Sequence, residues 1–229
     1  MSLLWLSTLA LLCLGAQGQP FAKNLTEDVS AATLEVRGLQ VHRTTYATTV
    51  DSYANDVDTY ATARAQNIVD ELVNLQLTFL EINNINDLFG TGLDDISRAN
   101  RRINDQLRRI EPTLNAAITA LEGSNWVELN TVSGNLRNQI ASEETTYNDA
   151  VARTNRNVAD IDAALKSATE NQANVESVVQ ITSMWKELTT FLSGKSVADD
   201  HEIFIVRSER TLTAIQTVLD GAPAAALMY

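Results

Sequence analysis

The sequence predicts an all-α protein: an elongated antiparallel helical bundle with long, coiled-coil-like helices. Apolar side chains recur at alternating steps of three and four residues through most of the chain, which is the spacing of a coiled-coil seam. The stretches 39–89 and 135–193 contain neither proline nor glycine, so each can form an extended helix. Short glycine-containing segments separate the predicted helices, and short connections make successive helices antiparallel neighbours.

Residues 1–18 are predicted to form a cleaved signal peptide. An almost unbroken apolar run is followed by Ala16 and Gly18, which are small residues at the two positions that a signal peptidase reads. Because the run is too short to span a bilayer, a cleaved signal is favoured over a membrane anchor. The mature protein is then expected to begin at Gln19 and to be secreted into the extracellular space.

Composition restricts the partners and the chemistry of the secreted chain. Its formal net charge is −12, and residues 1–18 contribute no charged side chain. An acidic surface disfavours binding to nucleic acid and stable association with anionic membranes. The single cysteine, Cys13, lies in the predicted signal peptide, so no disulfide or thiolate site is expected. The only N-glycosylation sequon predicts a glycan on Asn24 if the source is a eukaryote.

The first long helix is predicted to run from Leu39 to Phe89 and to be ended by the glycine-containing segment 90–92. Consecutive four-residue steps connect Tyr60 to Leu72 through Arg64 and Ile68, and such a stutter locally unwinds a left-handed supercoil. The tyrosines repeat every seven residues, which would also suit a stacking platform for sugars, but this spacing favours helix packing. The predicted seam-packing residues of this helix are Tyr46, Val50, Tyr53, Val57 and Tyr60.

The second helix is predicted to begin at Thr91 or Asp94 and to end at the segment 123–124. Its seam is the most regular in the chain and has one polar member, Asn100, of the kind that fixes register or partner number. Pro112 lies within the pattern and predicts a kink or a new first turn. The predicted seam-packing residues of this helix are Ile96, Ile103, Leu107, Ile110 and Leu114.

Two further helices complete the predicted bundle. Asn125 and Glu128 resemble a capping box and predict a third helix that continues to the segment 193–194. Ser196 predicts the start of a fourth helix that ends at Gly221.

Residues 19–221 are therefore predicted to form a single bundle domain, and residues 222–229 a flexible tail. The first and third predicted helices are about twice as long as the other two. Parts of their seams would stay uncovered in a monomer, which favours a homodimer.

Five arginines form the one basic concentration in this acidic sequence: Arg98, Arg101, Arg102, Arg108 and Arg109. One interpretation is a site for an anionic partner, such as a sulfated glycan or a phosphate group. The alternative is ion pairing with acidic side chains at the edges of the helix seams. Ion pairing is favoured because charge runs on helices are usually solvated faces.

No motif in the sequence predicts catalysis. The run 199–202 contains metal-ligating side chains, but consecutive helical residues point in different directions, and acids are expected in a first helical turn. The segment 193–196 matches only the end of a phosphate-binding loop and follows a helix rather than a strand. The sequence therefore predicts no cofactor, no metal site and no enzymatic activity.

The sequence favours a secreted, non-enzymatic structural or interaction protein that acts through coiled-coil-like helix packing, with a protein partner or with itself. The alternative is an extracellular carrier of lipid or another apolar ligand, which would open its amphipathic helices around the cargo as exchangeable apolipoproteins do. Lipid-binding helices usually have broad apolar faces. The narrow stripes and frequent threonines and asparagines of this chain count against a carrier.

Overall fold

The computed structural model describes residues 4–223, with side chains from residue 24 onward, and this part of the chain contains helices and no strands. The predicted all-α helical bundle is confirmed. The side chains of the predicted signal peptide, and all but two residues of the predicted tail, lie outside the described residues. The helices are α1 (Leu4–Asp56), α2 (Thr62–Leu72), α3 (Phe79–Glu122), α4 (Trp126–Thr169), α5 (Val175–Leu192) and α6 (Lys195–Gly221).

The chain forms two compact units, each assembled from segments that are distant in sequence. Within the described residues, unit 1 comprises the chain up to His42, the segment Arg109–Ile140 and the chain from Phe204 onward. Unit 2 comprises Arg43–Arg108 and Ala141–Ile203.

Unit 1 packs segments of α1, α3, α4 and α6 around an apolar core. On α1 and α3, Arg37 pairs with Glu122 at 2.9 Å, and Gln40 donates a hydrogen bond to Asn115 at 2.7 Å. Residue numbers rise on one helix as they fall on the other, so the two helices are antiparallel. Buried apolar residues of this core include Val36, Leu39, Ile110, Leu114, Leu121, Leu129, Leu136 and Ile215.

Unit 2 uses the same antiparallel packing and adds α2 and α5. The Ser97 hydroxyl of α3 donates to the Ala54 carbonyl of α1, and the Asn104 amide, further along α3, donates to the Asp51 carboxylate, which lies earlier on α1. Arg64 of α2 lies 3.5 Å from Glu187 of α5. Buried apolar residues of this core include Val50, Ile68, Leu72, Ile96, Ile103, Leu107, Ile161 and Leu188.

The prediction that the first long helix ends at Phe89 is wrong, because the chain turns between α2 and α3. Gln76 adopts a left-handed conformation with φ 61°. The glycine-containing segment 90–92, predicted to end the helix, lies inside α3. Glycine in a helix costs only about 1 kcal/mol relative to alanine, so two glycines do not end a helix whose neighbours pack well.

A π-helical turn at Val57–Ala61 connects α1 to α2 close to the predicted stutter. A π turn has i→i+5 hydrogen bonds and so contains more residues per turn than an α-helix. Val57 and Ala61, four residues apart, are both buried, whereas Tyr60 is 40% exposed. The change in pitch therefore removes Tyr60 from the tyrosine row.

One other predicted helix end differs from the structure. The third predicted helix ends at Thr169 rather than at the segment 193–194, because Asn171 adopts φ 64° and Asn174 caps a new helix, α5. Asparagine tolerates the left-handed region better than most residues. Pro112 starts no new helix and lies inside α3, whereas the predicted cap at Asn125 is present and accepts a hydrogen bond from the Glu128 amide at 3.2 Å.

Replacing Gly90 with alanine is expected to raise the free energy of unfolding by about 0.5–1 kcal/mol. Gly90 lies inside α3, and a Cβ at this position would meet no described atom within 4 Å. Gly194 offers a contrasting control, since its φ is 60° and the new Cβ would lie 3.5 Å from Tyr53, so Gly194→Ala is expected to destabilise. Urea unfolding followed by circular dichroism measures both changes. A destabilised Gly90→Ala variant would contradict the helical assignment at this position.

Candidate functional site

Five strongly exposed apolar side chains of unit 2 lie on two helix-connecting turns or near the starts of the helices that follow them, and we call this set the apolar corner. One turn joins α2 to α3 and the other joins α4 to α5. The members, with their exposed fractions, are Val73 (60%), Phe79 (80%), Leu80 (68%), Val175 (67%) and Val179 (62%). Apolar side chains this exposed are costly to hydrate when they cluster, and such clusters mark interaction sites more often than isolated exposed residues do.

The turn before α3 is held by a capping box. The Glu81 amide donates to the Thr78 hydroxyl oxygen at 3.2 Å, and the Thr78 amide donates to Glu81 Oε2 at 2.7 Å. These two bonds satisfy backbone donors that a helix start leaves unpaired. Phe79 and Leu80 occupy the first two positions of the helix, so the box holds their backbone in place while the side chains face solvent.

The second turn of the apolar corner is also capped and lies against the first. The Asn174 carboxamide oxygen accepts a hydrogen bond from the Ser177 amide at 3.2 Å. Its amide nitrogen lies 3.4 Å from the carbonyl oxygen of Asn74, which belongs to the turn before α3. Val175 is the first residue of α5, so both turns present an exposed apolar residue directly after a helix cap.

A groove of about 260 Å³ lies beside the first turn, between the start of α3 and the end of α4. Leu77 and Ile85 line it from one side, and Ala164 and Ala168 line it from the other. Glu81 and Gln172 supply polar atoms to the same groove. Asn84 and Ser167 also line it, so the groove offers a mixed apolar and polar surface beside the exposed side chains of the corner.

The charged residues on the two turns are mostly acidic. The segments 70–81 and 166–179 together contain five acids and one base, so their formal charge is 1 − 5 = −4. The acids are Asp70, Glu71, Glu81, Glu170 and Glu176, and the base is Lys166. All six side chains are exposed except that of Glu71, which is half-buried. The apolar corner is thus accompanied by negative charge on both turns.

The capping box predicts a pH-dependent stability. Hydrogen bonds from Thr78 lower the pKa of Glu81 below its ordinary value of 4.5. A lowered pKa in the folded state means that the stabilisation is present above pH 4.5 and is lost as the pH falls through the folded-state pKa. We expect Thr78→Ala to lower the free energy of unfolding by about 1 kcal/mol at pH 7, and by less at pH 3.

Thermal unfolding of the wild type and the variant at the two pH values measures this difference. Thr59 donates to the Asn55 carbonyl within its own helical segment, so Thr59→Ala is a control that removes a threonine without removing a cap. A Thr78→Ala effect that is equal at pH 3 and pH 7 would contradict a role for the Glu81 carboxylate.

A buried polar cluster joins α1, α4 and α6 within unit 2. The Tyr46 hydroxyl donates to Glu143 Oε1 at 2.9 Å, and His201 Nδ1 lies 3.2 Å from both the Tyr46 oxygen and Glu143 Oε1. The Tyr147 ring stacks on the His201 imidazole, with 3.6 Å between centroids and 11° between planes. The Glu143 side chain is fully buried. The four side chains therefore fix three helices relative to one another.

The electrostatics of this cluster favour a structural role. Burial raises the pKa of Tyr46 far above its ordinary value, and the adjacent Glu143 carboxylate raises it further. Burial, together with Glu143 and Asp199, also raises the pKa of Tyr147. Both phenols are therefore hydrogen-bond donors at neutral pH. Glu143 Oε2 is buried and has no hydrogen-bond partner among the described residues, so the carboxylate depends on Tyr46 and His201.

Nine of the ten predicted seam-packing residues are buried, and Tyr60 is the exception. The Tyr60 ring packs against Phe191 at 5.1 Å between centroids, and the Arg64 guanidinium lies 5.5 Å from its centroid. Tyr46 and Tyr53 are inside unit 2, where the Tyr53 hydroxyl donates to the Leu192 carbonyl at 3.1 Å. The three tyrosines therefore form no exposed stacking row.

Three of the five clustered arginines pair with acidic side chains of unit 2. The pairs are Arg98–Asp94 at 2.8 Å, Arg101–Asp58 at 2.5 Å and Arg108–Asp105 at 3.9 Å. Arg102 is exposed in the same unit. Arg109 belongs to unit 1, where its backbone carbonyl accepts a hydrogen bond from Gln139. Exposed ion pairs contribute only tenths of a kcal/mol, and the site for an anionic partner stays a prediction.

The other candidate residues have ordinary surroundings. Asn24, the predicted glycan acceptor, is exposed in unit 1. In the run 199–202, His201 belongs to the buried cluster and Asp200 accepts a hydrogen bond from the Thr49 hydroxyl at 2.6 Å. Among residues 24–223, no three His, Cys, Asp or Glu side chains converge as metal ligands would.

Neither the apolar corner nor the buried cluster is predicted from the sequence. The corner had a local signal, because Thr78 and Glu81 have the spacing of a capping box. The cluster had no local signal, since Tyr46, Glu143 and His201 are at least 58 residues apart.

Comparisons with protein-family models, with curated proteins and with solved structures gave no match to this chain. Within the described residues, none of the helices combines the length and the hydropathy needed to cross a membrane.

Proposed function

We propose that this chain is a secreted, non-enzymatic interaction protein that binds a protein partner through the apolar corner of unit 2. The observation that carries the proposal is the set of five apolar side chains, each at least 60% exposed, on two adjacent turns and the helix starts that follow them. Phe79 is the most exposed of them, and large aromatic side chains are enriched at the centres of protein interfaces. Contact with a partner would remove this surface from water.

The capped turns support binding without a large conformational cost. The box formed by Thr78 and Glu81 and the cap formed by Asn174 hold both turns before any partner arrives. A preformed surface loses less conformational entropy on association than a flexible loop does. The apolar corner is therefore suited to direct docking.

Secretion is part of the proposal and rests on the apolar run and the small residues at Ala16 and Gly18. Expression of the full chain in a secretory host tests it. We expect the protein to appear in the medium with Gln19 as its first residue. Retention inside the cell with an intact N-terminus would contradict secretion.

A carrier of lipid or another apolar ligand is the second candidate. The groove beside the corner favours it, because Leu77, Ile85, Ala164 and Ala168 would contact an apolar ligand there, while the polar half of the lining counts against it. A carrier would clear phosphatidylcholine vesicles and gain helicity as its helices open. A protein-binding module would leave the vesicles turbid and its circular dichroism unchanged.

Position-specific cross-linking tests protein binding directly. A photo-activatable amino acid replaces Leu80 in one variant and Leu34 in another, since both side chains are about equally exposed, at 68% and 70%. The proposal predicts a discrete heteromeric product in extracellular fluid of the source organism from position 80 and none from position 34. Equal products at both positions, or no protein product at position 80, would contradict binding through the corner.

A further inference from the structure

We infer that the partner segment that occupies the apolar corner is a cationic amphipathic segment: apolar side chains flanked by lysine or arginine. This inference rests on the proposed function, because it specifies the chemistry of the partner at the same surface. It follows from the combination of exposed apolar side chains and negative charge on both turns.

The apolar part of the surface requires an apolar counterpart. Phe79 and Leu80 project from the first turn of α3, and Val175 and Val179 lie one helical turn apart on α5. Residues at i and i+4 lie on the same face of a helix. A partner that covers these side chains must therefore bring apolar side chains of its own, as one face of an amphipathic helix does.

The charged residues of the two turns indicate which side chains should flank the apolar face of the partner. The two turns carry a formal charge of −4, and the acids occur on both turns rather than on one. Complementary charge around an apolar centre raises the association rate and excludes partners of like charge. Lysine or arginine beside the apolar face of the partner would complement the exposed acids, including Glu170 and Glu176.

The same charge argues against two other occupants. A second copy of the chain, docked corner to corner, would place two surfaces of charge −4 against each other. An anionic membrane would repel the corner for the same reason. Both are outcomes of the experiment below.

The experiment measures binding of the full chain to a synthetic amphipathic helix of leucine and lysine, by fluorescence anisotropy. The matched probe contains leucine and glutamate. Two pairs of variants locate the site. Phe79→Ser with Leu80→Ser removes apolar surface at the corner, and Leu34→Ser with Val41→Ser removes similarly exposed surface from unit 1.

The second pair changes charge. Glu170→Lys with Glu176→Lys reverses two acids of the corner, and Glu128→Lys with Glu209→Lys reverses two exposed acids of unit 1. Within each pair, the corner variant and the unit 1 variant change the net charge by the same amount. Circular dichroism confirms that each variant folds.

We expect the corner variants to weaken binding of the lysine probe by about tenfold or more, and the unit 1 variants by less than about twofold. The glutamate probe should bind at least about tenfold more weakly than the lysine probe. Equal losses in corner and unit 1 variants would show attraction to the whole acidic chain and would overturn the inference. Corner-dependent dimers in sedimentation, or corner-dependent binding to phosphatidylserine vesicles, would overturn it as well.

Different results would contradict the cationic partner and the proposed interaction function. A protein cross-link from position 80 that persists unchanged in the Glu170→Lys, Glu176→Lys variant would overturn the cationic partner and leave the interaction function intact. No cross-link from position 80 would overturn the interaction function itself.

Discussion

Replacing His201 with alanine is expected to lower the free energy of unfolding by about 3–5 kcal/mol, because it removes a hydrogen-bond partner from a buried carboxylate and leaves a cavity beside Tyr147. His201 Nδ1 lies 3.2 Å from Glu143 Oε1, and the Glu143 side chain is fully buried. Without His201, Tyr46 is the one hydrogen-bond partner of the carboxylate among the described residues. The stacking contact between His201 and Tyr147 is lost in addition.

Two further variants separate the contributions to this loss. Tyr46→Phe removes one hydroxyl and should cost less, about 1–3 kcal/mol. Replacing the three polar members together, as Tyr46→Phe, Glu143→Leu and His201→Leu, should recover much of the stability because none of the three positions keeps a buried polar group without a partner. Urea unfolding followed by circular dichroism measures all three proteins. A His201→Ala protein within about 0.5 kcal/mol of wild type would contradict the cluster as a stabilising feature.

The second large effect is expected at Leu107, whose replacement by alanine should lower the free energy of unfolding by about 2–5 kcal/mol. The side chain is fully buried in unit 2, and the backbone carbonyl of the same residue accepts a hydrogen bond from Arg43 at 3.2 Å. Removing three carbon atoms leaves a cavity that close-packed helices fill only partly. The result reports directly on the packing of the α3 seam.

Arg102 supplies the matched control for this change. It lies on α3 five residues away, is exposed, and its replacement by alanine should change the free energy of unfolding by no more than about 0.5 kcal/mol. Chemical denaturation of both variants under the same conditions gives the comparison. Similar effects at the two positions would contradict the burial of the seam.

Local signals decided how much of the fold the sequence could predict. The cap at Asn125 and the heptad spacing of α3 depend on residues within two turns of each other, so they could be predicted from the sequence alone. The turns at Gln76 and Asn171 contain no glycine or proline, and both residues adopt a left-handed conformation. A prediction that ends helices only at glycine or proline misses such turns, although the capping box of Thr78 and Glu81 indicates one of them.

The candidate site, like the fold, could be predicted from the sequence only where local signals exist. The capping box of Thr78 and Glu81 allows the start of α3 to be predicted from the sequence. The shared surface of the two turns could not be predicted, because Asn74 and Asn174 meet only in the folded chain. The buried cluster forms where three helices meet, and its residues are far apart in sequence. Glu143 carries no feature that distinguishes it from other acids on helices until its burial is known.

The most direct measurement of the proposed interaction is hydrogen exchange of the full chain with and without the leucine–lysine probe. The first-turn amides of Phe79 and Leu80 have no intrahelical acceptor and should exchange rapidly in the free protein. Binding is predicted to slow exchange in the segments 73–81 and 174–179. Protection that spreads over the acidic helix faces, or that appears around Leu34 while the corner continues to exchange rapidly, would contradict binding at the apolar corner.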